Sequence, residues 1–262
     1  MKRIGLIGFG FIGRELYRAV ASGAHPDLEI AFVWNRSAHK LAEIPEALRL
    51  SDLTRAGERG ADLVIESAHP AITRRYGGAI LACADYMPLS VTALVDDELR
   101  AALLTTARSA GHHLLLPQGA LIGADALLQW RHMWREVTIT FRKHPRNLDL
   151  TESRREEDFI DRETALYDGP VRGIAALYPR NVNTMVTCAL ATVGLDRCRA
   201  RLIADPKLEH AVAEVEALGE DGSYLSTVKR QPAIGVSGTE MVASTLRSLL
   251  KATSTLAPMD FV

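Results

Sequence analysis

Three glycines near the start constrain this chain more than any other feature. Gly8-Phe9-Gly10-Phe11-Ile12-Gly13 follows an apolar run at 3–8 (RIGLIG) that reads as a buried strand. The same glycines open a segment at 11–21 in which Ile12, Leu16 and Val20 recur at i, i+4 and i+8, the period of a helix. A strand, a glycine-rich turn and a helix in that order form the context in which G-x-G-x-x-G binds a dinucleotide, and not merely a turn between two elements. Gly8 would make the tight turn, Gly10 would admit a pyrophosphate to the backbone, and Gly13 would let helix and sheet pack closely. The helix start at Phe11 and Ile12 would then offer its N–H groups and positive dipole end to the phosphates.

Short apolar runs and helical patterns alternate through the rest of the first third. Strands are expected at 29–34 (EIAFVW), 62–67 (DLVIES), 88–91 and 114–117, with helices at 71–84 and 96–110. Strands separated by such helices make βαβ units and a parallel, doubly wound sheet of Rossmann type. After Gly119 the pattern changes to a short helix at 124–132 and an alternating strand at 136–142 (EVTITFR). The charge run Arg154-Arg155-Glu156-Glu157-Asp158, within 151–162, reads as a solvated loop. A helix at 183–193, strands at 199–204, 210–218 and 223–230, and a helix at 239–251 capped by Ser237 complete the pattern. The expected fold class is therefore α/β. Residues 1–117 and 237–262 would form the dinucleotide-binding domain, and 118–236 a mixed-sheet substrate domain, with the last helix packing back on the first domain.

Composition excludes several functions. Lys and Arg number 31 against 32 Asp and Glu, a net charge of −1, so no basic field points to nucleic acid. No apolar stretch reaches the roughly 18 residues of a membrane span. Met1-Lys2-Arg3 resembles the start of a secretory signal, but three glycines and Arg14-Glu15 interrupt the apolar run after it. Cys83, Cys188 and Cys198 are an odd number without a C-x-x-C pair, which suits reduced thiols. A cytoplasmic globular protein that binds a small molecule is the expectation.

The ribose end of the dinucleotide site departs from the usual pattern. Where an NAD site has an acidic residue about 20 positions after the glycines, this chain has Trp34-Asn35-Arg36. Asn35 can bond a ribose hydroxyl without repelling a 2′-phosphate, and Arg36 can pair with that phosphate, so NAD or NADP is expected. Ala68 and His69 follow the strand at 62–67, at the sheet edge where open α/β folds bind ligands. Eight histidines offer acid–base chemistry, and spacing leaves His69, His144 and His210 as alternatives. His132 and Glu136 stand four apart without a third ligand, so no metal site is expected. The glycine-bearing crossover at 117–123 could approach a cofactor ring, and Arg180, just before the helix start at Asn183, could hold a carboxylate.

Seven segments together resemble the L-aspartate dehydrogenase family: GLIGFGFIG (5–13), FVWNR (32–36), DLVIESAHP (62–70), PQGALIGAD (117–125), LYDGPVRG (166–173), YPRNVNTM (178–185) and LIADP (202–206). They occur in the family's order along nearly the whole chain, and FVWNR and AHP look like the animal-type members. The resemblance implies oxidation of the amine carbon of L-aspartate by NAD(P)+, giving iminoaspartate and then oxaloacetate and ammonia, with a role in NAD biosynthesis in some members. It implies a homodimer, and it places Ala120 and Asn183 beside the nicotinamide end of the cofactor. Lys143, Arg180 and Asn183 are the candidates for holding the dicarboxylate. The family's catalytic histidine stands in an N-x-H element after A-D-P. Here Ala204-Asp205-Pro206 leads into Lys207-Leu208-Glu209-His210-Ala211-Val212-Ala213, without N-x-H. A loop three residues shorter gives the catalytic position to His210, the expectation adopted; an ungapped loop gives it to Ala213. Two other readings stay open: a dehydrogenase of another small amino acid or oxoacid, and a dinucleotide-binding protein without catalysis.

Overall fold

The structure is a computed structural model, and it describes residues 1–153, 160–235 and 237–253. The chain divides into two compact units: Met1–Pro117 together with the C-terminal segment from Val242, and Gln118–Met241.

The first unit is built on a parallel four-stranded sheet in the order β2-β1-β3-β4. Its strands are β1 (Lys2–Ile7), β2 (Leu28–Trp34), β3 (Leu63–Glu66) and β4 (Asp85–Pro88). The strands are near-continuous apolar runs because helices cover the sheet, as parallel sheets require. Ile4, Leu6, Val33, Ile65 and Met87 meet Leu16 and Val20 of α1 (Phe11–Ala21) in one core, which Leu249 from the C-terminal helix completes. That helix packs on the first unit through Leu246, Leu249 and Leu250. Helix α2 (Pro70–Leu81) has proline in its first turn and His69 as its cap. Helix α3 (Asp97–Ala110) begins at Asp96, whose carboxylate accepts the Leu99 N–H at 3.0 Å, and stops at left-handed Gly111.

Two expected strands shift. Residues 88–91 close β4 and enter a 3-10 turn at Val91–Val95. The 114–117 run makes one isolated bridge, Leu114 to Tyr86, in place of a full strand.

The second unit holds a five-stranded mixed sheet, order β6-β7-β5-β8-β9. Its strands are β5 (Trp134–Lys143), β6 (Thr164–Pro170), β7 (Arg199–Ala204), β8 (Ala211–Gly219) and β9 (Tyr224–Gln231). Only β5 and β7 pair in parallel; the other neighbours are antiparallel. The strands at 199–204 and 210–218 are therefore not neighbours, since β5 lies between them. Helices α4 (Ala124–Gln129), α5 (Val171–Leu177) and α6 (Asn183–Ala191) belong to this unit. Strand β6 and α5 have no counterpart in the pattern of the sequence, because they abut at Pro170 and Val171 without a turn signal between them. The expected cap Ser237 instead lies in a two-residue strand, β11 (Ser237–Gly238), paired with β10 (Ala233–Ile234). The C-terminal helix, α7, spans Met241–Ala252. The charge run at 154–158 falls outside the described residues.

No helix among the described residues is long and apolar enough to cross a membrane.

Candidate functional site

In the first unit the glycine turn runs from β1 into α1. Gly8 has φ +98°, a left-handed conformation, and a Cβ there would lie 2.9 Å from the Ser67 backbone. A Cβ on Gly13 would collide with the Gly8 carbonyl oxygen, so glycine is what lets α1 start so close to β1. Gly10 differs: a Cβ on it meets nothing within 4 Å, so the space above it is open. As the cap of α1 it brings no side chain, and the first turn of the helix holds no acidic residue. Bare N–H groups, a positive dipole end and open space above a glycine fit a pyrophosphate.

Both polar ends of the Asn35 side chain are engaged: its Oδ1 accepts the Phe9 N–H at 3.0 Å, and its Nδ2 donates to the Ser37 carbonyl at 3.0 Å. It thereby ties the glycine turn to the end of β2, leaving a lone pair and one N–H for a ribose. Arg36 is exposed beside it. Ala68 and His69 are exposed at the end of β3, where His69 Nδ1 accepts the Ala71 N–H as a helix cap. Glu66 was not singled out from the sequence. It is fully buried, and its carboxylate accepts the N–H groups of Ala68 (2.6 Å), His69 (2.7 Å) and Ser90 (3.2 Å) and the Ser90 hydroxyl (3.0 Å). It thus fixes the loop that packs on Gly8. Burial pushes its pKa up to about 7, against the pull of those donors. The one hint was a carboxylate closing an otherwise apolar strand.

The second unit holds a cleft of about 600 Å³. Its floor is a patch of three adjacent strands: Phe141 and Lys143 from β5, Ala211 and Ala213 from β8, Lys229 and Gln231 from β9. Phe141 stands opposite Ala213, Ala213 opposite Lys229, and Ala211 opposite Gln231. The two alanines leave space at the centre, and a lysine flanks it on either side. Ala120, Arg180 and the start of α6 at Asn183 form its walls, so four of the expected residues (Ala120, Lys143, Arg180 and Asn183) come together here.

Lys143 is buried at the end of β5, with its Nζ 5.5 Å from the centroid of the Phe141 ring. Burial, and then the like charge of Lys229, lower its pKa to about 8; Glu240 opposes them. Lys229 Nζ donates to Glu240 Oε1 at 2.5 Å and to the Ala120 carbonyl at 3.0 Å. Arg180 Nη1 donates to Asp149 Oδ2 at 2.8 Å, and Asn181 accepts from the N–H of Asp149 and donates to its carbonyl. Lys229, Glu240 and Asp149 also went unread, because an alternating strand and an isolated acid carry no mark of what they face.

His210 is not brought to this cleft. It is exposed and lines a separate depression with Arg142, Glu163, Glu214 and Arg230. Glu214 belongs to that depression and Ala211 and Ala213 to the cleft, as the two-residue pleat dictates, while Val212 borders both. The ungapped alternative, Ala213, is the position that faces the cleft. His144 stays outside it too, capping the turn at Pro145–Asn147 by accepting the Arg146 N–H. No group of three metal-ligating side chains occurs among the described residues.

Comparison with known proteins bears on both units. Residues 126–252 match a family profile described as "Aspartate dehydrogenase, C-terminal", and residues 8–117 match "Homoserine dehydrogenase, NAD binding domain". An "Aspartate dehydrogenase domain-containing protein" from Xenopus tropicalis is 37% identical over 265 residues, covering 95% of this chain and 93% of that protein. An "L-aspartate dehydrogenase" from Methanosarcina acetivorans is 33% identical over 246 residues, covering 88% and 89%. The crystal structure of an aspartate dehydrogenase from Thermotoga maritima superposes with a TM-score of 0.76 over 100% of both chains at 22% identity, a likeness of fold.

Proposed function

Since this chain belongs to the aspartate dehydrogenase family, we propose that it oxidises L-aspartate with NAD+ or NADP+ to iminoaspartate, which hydrolyses to oxaloacetate and ammonia. The observation that carries this reading is the charge of the cleft in the second unit. Lys143, Lys229 and Arg180 face it together with the start of α6, and even with Glu240 and Asp149 paired to Lys229 and Arg180 these donors suit the two carboxylates of a small diacid.

Bound at the glycine turn, the dinucleotide would supply the hydride acceptor. The protein supplies the rest. Gly8, Gly10 and Gly13 with the N–H groups of Phe11 and Ile12 would hold the pyrophosphate, Asn35 and Arg36 the ribose end, and Ala68 and His69 would border the cofactor. Ala120 and Asn183 would border the nicotinamide. Arg180 and Asn183 would take the substrate carboxylates, with Lys143 adding positive potential when protonated. The exposed Arg36 and the absence of an acidic residue beside it support acceptance of NADP. On the same reading the enzyme works as a cytoplasmic homodimer, and its iminoaspartate is available to NAD biosynthesis.

One observation favours a second reading, a dinucleotide-binding protein without catalysis: alanines occupy the floor of the cleft at 211 and 213. Initial rates of NADH and NADPH formation with L-aspartate and with a panel of other amino acids separate the readings. Turnover of aspartate above the other amino acids is expected. Dinucleotide binding without turnover would favour the second reading, and turnover of another amino acid alone would reassign the substrate. His210→Ala belongs in the same assay: a fall of about 10²-fold would return catalysis to the shortened-loop histidine.

A further inference from the structure

An amine cannot lose a hydride from its carbon while its nitrogen is protonated, because the nitrogen lone pair must form the new C=N bond. A proton acceptor is therefore needed at the substrate ammonium, and the histidine expected there is absent from the cleft. Among the described residues lining the cleft, the ionisable side chains are Lys143, Arg180 and Lys229. Arg180 does not deprotonate in proteins. Lys229 donates to Glu240 and to the Ala120 carbonyl and is only partly buried; Lys143 is engaged as well, but it is withdrawn from water. Lys143 stands on the same face of β5 as Phe141, beside the space that Ala211 and Ala213 leave open.

We propose that the Lys143 amine accepts the proton of the substrate ammonium, doing in this chain what a histidine at position 213 would do. The inference rests on the aspartate dehydrogenase reading above. In the step, the N–H bond of the substrate ammonium breaks and an N–H bond forms at Lys143 Nζ, so a positive charge passes from substrate to lysine. With the oxidised dinucleotide bound as two-electron acceptor, the Cα–H bond would break with its electron pair leaving as hydride, and the nitrogen lone pair would form C=N. Burial and the neighbouring Lys229 favour the neutral amine that the step needs, whereas Glu240 favours the ammonium.

Three variants and one chemical measurement test this. Lys143→Met removes the amine at similar size, and Lys143→Arg keeps a charge that cannot be given up. Both are expected to lower kcat by about 10²-fold or more while NADH binding, read by fluorescence titration, is kept. In the wild type kcat/KM should rise with pH through a limb near 8, the value at which Lys143 loses its proton, and the limb should vanish in both variants. Lys143→Ala should recover activity with added methylamine in proportion to the free amine, which a purely structural role would not produce. Competitive acetylation of the dinucleotide-free protein, read by mass spectrometry of the peptide carrying Lys143, should show a midpoint near 8.

A midpoint at the ordinary lysine value of about 10.4 would overturn the proposal, as would a Lys143→Arg enzyme with near wild-type kcat and an intact pH limb. A wild type that turns over aspartate while the variants do so equally well brings down this proposal alone. A wild type that binds NADH but never turns over aspartate brings down the functional reading and this proposal with it.

Discussion

Glu66 and Lys143 are two buried ionisable side chains whose charges are set by what surrounds them. Glu66 ends β3 among four hydrogen-bond donors, yet burial raises its pKa from 4.5 to about 7. Between those values the folded protein holds a proton that the unfolded chain has released. The contribution of Glu66 to stability is therefore fully present below pH 4.5 and is lost as pH rises to about 7, by an amount on the order of 3 kcal/mol. Thermal melts across that range should show Glu66→Gln less sensitive to pH than the wild type; parallel profiles would show that Glu66 titrates elsewhere. Lys143 was read as a cation for the substrate and Glu66 was not read at all, and the burial of neither was legible. A glutamate in DLVIES and a lysine after EVTITFR look alike to a pattern, because burial belongs to the folded neighbourhood and not to the residue.

At the level of elements, the glycine turn and α1 were readable because their physics is local. The 3.6-residue period of Ile12, Leu16 and Val20 places α1 at Phe11–Ala21, the bounds expected from the sequence. The glycines nonetheless do different work, and substitution should separate them. Gly10→Ala adds a methyl to open space at an ordinary φ of −87°. It should leave the melting temperature unchanged and weaken NADH binding about tenfold or more, through a clash with the pyrophosphate alone. Gly13→Ala forces a methyl into the Gly8 carbonyl and should cost about 1–3 kcal/mol of stability besides binding. Equal losses of binding and stability in both would show that the space above Gly10 is not a ligand site. Strand β8 teaches the opposite lesson. Its existence was legible, but a pleat with a period of two gives 211 and 213 to the cleft and 214 to the other face, with 212 bordering both. The choice of loop length before β8 thus decided which side chain met the cleft, and no local signal set that length.

For the whole molecule, the homodimer is the expectation still to be measured. Tyr224 and Val228, exposed along β9 at the edge of the second sheet, are apolar surface of the kind an interface covers. Light scattering on the purified protein should give twice the mass of one chain, and a single chain's mass at micromolar concentration would overturn the dimer. What the sequence determined by itself was whatever depends on neighbours a few residues apart: the βαβ alternation, the glycine turn, and the helices at 11–21 and 96–110. Tertiary structure alone decided what depends on strands meeting across long separations. It inserted β5 between β7 and β8, and it set Lys143, Ala213 and Lys229 on adjacent strands of one sheet although the two lysines are far apart in the chain. It also withdrew Glu66 and Lys143 from water. Periodicity records which face of an element is apolar, whereas the charge state of a buried group follows from what the completed fold packs against it.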